Sequence, residues 1–243
     1  MNQALQNMSR VSSLGRVHEI KLRDLLSLRG PDALLREITT CFPPVGIGSI
    51  TLVDQMVLLC LDELVRPQRI LEIGTFQGFT TALLARNSAA DAIFSIDLPP
   101  AMSPILGNPD EQRLFAEGSY NDDYLRNIQN STGEVYLAGL EPCVGSRVTL
   151  VKADSTLLNY SKTFGHIDYA FIDGGHDHNI VEADTRNVLS VMDEGIVIWH
   201  DYSSTIHSDV TSFLRSHAER YPVFHVVGSL CAFQLVLRQH QLA

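Results

Sequence analysis

The chain has 243 residues, enough for one sizeable domain with an appendage and for a core that needs no disulfide or metal staple. Its 18 Lys and Arg against 28 Asp and Glu leave a net charge of −10, and no basic cluster appears, which argues against nucleic acid as a partner. The N-terminus lacks an apolar signal core, no apolar run reaches the ~18 residues of a membrane span, and the four cysteines are too scattered for zinc spacing. The expectation is therefore a cytoplasmic protein with buried free thiols and no membrane contact.

In chain order, Val17–Leu28 carries apolar residues at helical spacing and stops at Arg29-Gly30-Pro31. Pro31–Cys41 reads as a second helix. Two prolines and two glycines break the chain over 41–50, and Thr51 caps a third helix that runs to Val65. Strands then alternate with helices: strand Arg69–Ile73, helix Phe79–Arg86, strand Ala92–Ile96, strand Arg147–Lys152, strand Ile167–Ile172, helix Asn179–Met192, strand Gly195–Trp199 and helix Asp209–Arg220. Such alternation predicts parallel pairing through right-handed crossovers. Val223–Val227 and Cys231–Leu237 are joined by a short turn and must be antiparallel. Leu98–Ser146 is too long for a plain crossover and holds a predicted helix at Tyr120–Ser131. Long excursions of this kind serve function or are disordered. A substrate lid or an oligomer contact is the preferred reading, and a solvated insertion without a role stays open.

The segment Ile70-Leu71-Glu72-Ile73-Gly74-Thr75-Phe76-Gln77-Gly78-Phe79-Thr80 reads as a buried strand, a glycine turn and a helix start. That arrangement opens a crevice at a strand's carboxyl end, where α/β proteins bind nucleotide-like ligands. Phe76 stands where a dinucleotide fingerprint requires its second glycine, which argues against a pyrophosphate turn. Acidic residues recur at the strand tips: Glu72, Asp97, Asp154 with Ser155, Asp173, and Asp201 after His200. In a parallel sheet these tips converge on one crevice, and that many carboxylates repel unless cations or hydroxyls sit among them.

The stretch Glu72-Ile73-Gly74-Thr75-Phe76-Gln77-Gly78-Phe79-Thr80 resembles the first motif of class I S-adenosylmethionine-dependent methyltransferases, closest to the metal-dependent O-methyltransferase branch of catechol-type, sugar and natural-product enzymes. The resemblance covers roughly residues 46–237. It implies a doubly wound, mostly parallel, seven-stranded Rossmann-like sheet ending in an antiparallel hairpin. An N-terminal helical cap (1–68) would precede a cofactor-binding domain (69–243) with an insertion at about 98–146. It also implies S-adenosylmethionine as cofactor, held by Glu72, Gly74, Thr75, Phe76, Gly78, Thr80, Asp97, Asp154, Ser155 and Asp173. Asp97 would accept hydrogen bonds from the ribose hydroxyls, Asp154 and Ser155 would border the adenine, and Thr80 would sit near the methionine carboxylate.

Metal ligands in that branch match Asp173, His200 and Asp201. Here the chain departs from the catechol-type pattern, which has an aspartate in place of His200. An imidazole moves the preference from Mg²⁺ toward Mn²⁺, Fe²⁺ or Zn²⁺, and a metal-free site with a histidine base stays open. Asp173-Gly174-Gly175-His176 matches the Asp-Gly-x-His of some bacterial relatives, so the base is His176 or His200. His207, His217 and His225 read as surface or edge residues. Phe42, Phe76, Trp199 and Tyr202 are candidates for an apolar acceptor pocket. The expected reaction is O-methylation of a small-molecule hydroxyl on a sugar, phenol or natural product, in a homo-oligomer. Two alternatives remain: a metal-dependent hydrolase using Asp173, His176, His200 and Asp201, or a non-catalytic binding module on the same fold.

Overall fold

A computed structural model describes residues 1–11, 13–31, 35–41, 48–100, 108–132 and 134–237. Helix α1 (Gln3–Val11) leads into strand β1 (Val17–Lys21) and helix α2 (Leu22–Ser27). The predicted helix over Val17–Leu28 is thus half strand. Tertiary pairing overrides the helical periodicity: β1 runs parallel to a C-terminal strand, Val17 opposite Val223 and Lys21 opposite Val227. Residues 35–41 are not helical, which corrects that part of the second predicted helix. Phe42 and most of the predicted break lie outside the described residues.

Helix α3 (Leu52–Val65) forms where the sequence placed it. Thr51 and Asp54 make a reciprocal capping box at its start, and Arg66, in the left-handed region at φ 54°, ends it. Next come β2 (Arg69–Ile73), α4 (Phe79–Asn87) and β3 (Ala92–Asp97). The insertion folds as α5 (Glu111–Leu114), α6 (Gly118–Thr132) and α7 (Pro142–Gly145). The chain closes with β4 (Val148–Lys152), α8 (Tyr160–Thr163), β5 (Tyr169–Ile172), α9 (His178–Leu189), β6 (Gly195–Trp199), α10 (Ser208–His217), β7 (Val223–Val227) and β8 (Ala232–Val236).

Among the described residues the sheet has eight strands, not seven, in the order β1-β7-β8-β6-β5-β2-β3-β4. The added strand is β1, so the N-terminal segment is not purely helical and supplies an edge of the sheet. Only β8 runs antiparallel, inserted between β6 and β7. Alternate residues of each strand feed opposite cores. Ile70, Phe171, Ile198 and Phe233 pack with Leu58, Leu61 and Leu84 of α3 and α4. Leu71, Ala170, Val197 and Trp199 pack with Val188, Phe213 and Leu214 of α9 and α10. Both faces are therefore covered, as a parallel sheet requires. From β2 the chain winds outward to β3 and β4, then returns to the other side of β2 at β5. That reversal opens a crevice at the carboxyl ends of β2 and β5.

Candidate active site

The crevice is a cavity of about 830 Å³, within the size range of small-molecule sites. Gly74, Phe76, Asp97, Asp154, Ser155, Asp173, His176, His200 and Asp201 all line it. Apart from Glu72, the acidic strand tips that the sequence placed together are together. Helix α6 adds Asp122, Leu125, Arg126 and Gln129 as one wall, so the insertion is part of the site. Close packing shapes the floor. Gly74 has φ +101°, and a Cβ there would lie 1.9 Å from the Asp173 carbonyl oxygen. Only glycine lets β2 and β5 approach so closely. Asp201 and Ser203 sit in the left-handed region at φ 60° and 66°, a backbone cost that non-glycine residues carry chiefly at functional sites.

Four predicted cofactor residues do not line this cavity. Gly78 receives the Leu137 side chain where a Cβ would be. Thr75 donates to or accepts from Ser95 at 2.7 Å, and with Thr80 it lines a small side cleft. Glu72 is 1 % exposed and lies beneath the floor, accepting from Ser95 Oγ at 2.6 Å and from Thr81 Oγ1. The partner expected from a ligand is supplied by two internal hydroxyls.

Burial, opposed by those hydroxyls and reinforced by Asp173 and Asp97, pushes the Glu72 carboxyl up to about 8. The folded protein then holds a proton on Glu72 between its ordinary 4.5 and about 8, where the unfolded chain has lost it. The stability from this group is full below 4.5 and is lost as pH rises through 8. Glu72→Gln keeps the carbonyl acceptor without the charge. Denaturant titrations should show wild type losing a few kcal/mol more than the variant between pH 6 and pH 9. Parallel pH profiles would refute this.

Asp97 is engaged on several sides. It accepts from the Phe76 N–H at 3.0 Å, the Leu98 N–H at 2.9 Å and the Gln129 amide, with Lys152 Nζ at 3.8 Å. Burial outweighs these donors and raises its pKa. Asp154 caps the 3₁₀ turn that follows, accepting from Thr156 N at 2.9 Å.

The second end of the cavity holds the acid–histidine cluster. His200 Nδ1 is 3.3 Å from Asp173 Oδ1 and 3.2 Å from Asp201 Oδ2. His176 Nε2 is 3.1 Å from Asp201 Oδ2 and 3.7 Å from Asp173 Oδ1. Burial disfavours charge on both rings, but the facing carboxylates dominate and raise both histidines well above their ordinary value. His176 Nε2 is buried and makes no hydrogen bond among the described residues. A buried orphan nitrogen aimed at two carboxylates, with Asp173, His176 and Asp201 each offering a ligand atom within 4.8 Å of the others, fits a divalent cation.

Three residues of this cluster escaped the sequence. Asp54, in α3, is fully buried and lies 3.5 Å from His200 Nε2. Asp122, in α6, accepts from His176 Nδ1 at 2.7 Å. His207 is not at the surface as expected but 6 % exposed, stacked on His176 with ring centroids 3.9 Å apart. Nothing in local spacing marked them. Among the candidate acceptor aromatics, Phe76 lines the cavity. Trp199 is core, its indole N–H on Thr185 Oγ1 at 2.8 Å, and Tyr202 packs on His225. Of the cysteines, Cys60 and Cys231 are buried while Cys41 and Cys143 are exposed. No helix among the described residues is long and apolar enough to cross a membrane.

A doubly wound sheet with acidic strand tips around one switch-point cavity defines the class I methyltransferase fold, whose cofactor is S-adenosylmethionine. Residues 71–202 match the family model described as a methyltransferase domain. The match covers more than half of the chain, which belongs to this family. The structure is similar to that of the O-methyltransferase NovP (TM-score 0.53, 12% identity, covering 76% of this chain and 80% of NovP). It is similar also to cofactor-bound Rv0187 from MTB (TM-score 0.52, 16% identity, covering 80% and 83%). No curated protein matches the sequence significantly.

Proposed function

We propose that this chain is an O-methyltransferase that methylates a hydroxyl of a small molecule such as a sugar, a phenol or a natural product. One observation carries the reading: Asp97 at one end and the Asp173–His176–His200–Asp201 cluster at the other line a single cavity at the sheet's switch point. The similarity to the O-methyltransferase NovP agrees with it. S-adenosylmethionine supplies an electrophilic methyl group. Asp97, once Gln129 yields it, accepts from the ribose hydroxyls, and Asp154 and Ser155 border the adenine. The Gly74 turn lets the backbone approach the donor closely. Catalysis is then mainly positioning of acceptor oxygen against donor methyl, with the hydroxyl proton leaving through the cluster. Either His176 or His200 takes it, or Asp173, His200 and Asp201 would hold a divalent cation, which would supply Lewis acidity to lower the hydroxyl's pKa.

The hydrolase alternative uses the same four residues but leaves Asp97 and the glycine turn without a role. The test is calorimetry with S-adenosylmethionine, followed by transfer of its labelled methyl group to a panel of phenols, sugars and polyketide-like alcohols. Cofactor binding and a labelled ether product are expected. Asp97→Ala removes charged hydrogen bonds and should weaken cofactor binding about 10- to 100-fold. A wild-type protein that does not bind the cofactor, or an Asp97→Ala variant with unchanged affinity, would count against the reading.

A further inference from the structure

Each active-site histidine has two faces. His176 turns Nε2 toward Asp173 and Asp201 and Nδ1 toward Asp122 Oδ1, 2.7 Å away. His200 is turned the opposite way: Nδ1 faces Asp173 and Asp201, and Nε2 faces Asp54 Oδ2 at 3.5 Å. A carboxylate only accepts, so Asp122 places the ring proton of His176 on Nδ1. His200 Nε2 is buried and makes no hydrogen bond among the described residues; it faces the Asp54 carboxylate, which can accept its proton in a hydrogen bond once a cation occupies the Nδ1 side. We propose that Asp122 and Asp54 are positioning residues that fix these two tautomers, so that the lone pairs of His176 Nε2 and His200 Nδ1 join Asp173 and Asp201 in one two-histidine, two-carboxylate cation site.

The outer carboxylates are themselves held. Asp54 is fully buried. It accepts from the Thr51 N–H at 2.8 Å, Thr51 Oγ1 at 2.6 Å and the Leu230 N–H at 2.9 Å. These bonds favour its ionised form and orient its oxygens. Asp122 also lies 3.4 Å from the His176 backbone N–H, and His207 stacks on the ring of His176. The His176 imidazole plane is therefore set from outside the site, and His200 Nε2 has the fixed Asp54 carboxylate in front of it. The second face of each ring is the informative one. The four histidine–carboxylate separations are 3.3, 3.2, 3.1 and 3.7 Å. Ligands about 2.1 Å from a shared ion are separated by about 3.0 Å in octahedral and about 3.4 Å in tetrahedral geometry. Carboxylate–histidine–metal triads of this kind are the usual outer support of histidine ligands.

This inference rests on the methyltransferase reading and replaces its free imidazole base: both lone pairs are committed to the cation, which takes over acidification of the hydroxyl. His176, matched above to the base, becomes a ligand. Two histidines among the donors favour Mn²⁺, Fe²⁺ or Zn²⁺ over Mg²⁺.

The experiment uses the full chain and Mn²⁺ alone as probe. Wild type should bind one Mn²⁺ per chain, and pulsed EPR of the bound ion should detect two imidazole nitrogens, falling to one in His176→Asn. Asp122→Asn and Asp54→Asn should each weaken Mn²⁺ binding about 10- to 100-fold. In Asp122→Asn, S-adenosylmethionine affinity and melting temperature should stay at wild-type values. That split separates positioning of the ring from support of the fold. Asp54→Asn also alters the α3 cap, so the EPR signal is the deciding measurement for that variant: one nitrogen lost or displaced supports the proposal. Wild-type Mn²⁺ affinity in Asp122→Asn, a spectrum without imidazole nitrogen, or no Mn²⁺ binding by a protein that binds the cofactor would overturn it. Mn²⁺ binding as expected with no cofactor binding would instead sink the methyltransferase reading and leave the cation site standing.

Discussion

Asp173→Asn is expected to lower the rate of methyl transfer at least about 1,000-fold while leaving S-adenosylmethionine affinity within a few-fold. The substitution preserves shape and removes one negative charge at the tip of β5. Asp173 faces both His200 Nδ1 and His176 Nε2 at 3.3 and 3.7 Å, so its charge bears on both histidines proposed to handle the acceptor proton. Buried imidazoles opposite a neutral amide lose much of what holds their charge, and a cation loses an anionic ligand. The effect should fall on turnover because the proposed ribose contacts are at Asp97, a different strand tip. The backbone N–H of Asp173 bonds to the Ile73 carbonyl at 2.8 Å, which the side chain does not touch, so folding should survive. The check is single-turnover transfer of labelled methyl on whichever acceptor the panel yields, beside calorimetry with the cofactor. Activity within tenfold of wild type would remove Asp173 from the chemistry.

Gly74→Ala should be the most damaging single methyl group in the chain. The new Cβ would lie 1.9 Å from the Asp173 carbonyl oxygen and 2.5 Å from its carbon, at a φ of +101°. Backbone cannot yield as a flexible side chain does. Left-handed strain of about 1–2 kcal/mol adds to an overpacking cost of about 1–3 kcal/mol, and relief requires parting β2 from β5 at the switch point. A loss of roughly 3 kcal/mol or more in urea unfolding is expected, together with weaker cofactor binding. Gly228→Ala is the control. Gly228 also has positive φ, +87°, but nothing lies within 4 Å of its Cβ position. It should show the conformational cost alone, about 1–2 kcal/mol, with cofactor binding intact. Equal losses in both variants would mean that the close approach of β2 and β5 contributes nothing.

Much of the site was legible in the sequence because its information is local. The glycine turn after β2 and the acids ending β2, β3, β5 and β6 follow from strand period and from the turn that each strand needs, and a parallel sheet brings such tips to one edge whatever the strand order. The same locality accounts for α3, whose cap at Thr51 needs only the residues beside it. The errors arose where distant chain decided. Val17–Lys21 has helical spacing, yet it pairs with β7 some two hundred residues later, because an open sheet edge offers backbone hydrogen bonds that a short isolated helix cannot match.

Glu72 was correctly singled out as a buried acid in need of partners, but only the fold shows them to be Thr81 and Ser95 rather than a ligand. Asp54, Asp122 and His207 gave no local sign of function. Asp54 lay inside the predicted third helix, Asp122 lay in the predicted insertion helix with no role attached, and His207 resembled a surface residue. They reach the cluster because α3, α6 and the loop after β6 close on one point. By itself the sequence determined which side chains stand at the ends of the strands. The tertiary structure decided which outer carboxylates face the histidines among them, since a contact between residues far apart in sequence has no counterpart in local spacing.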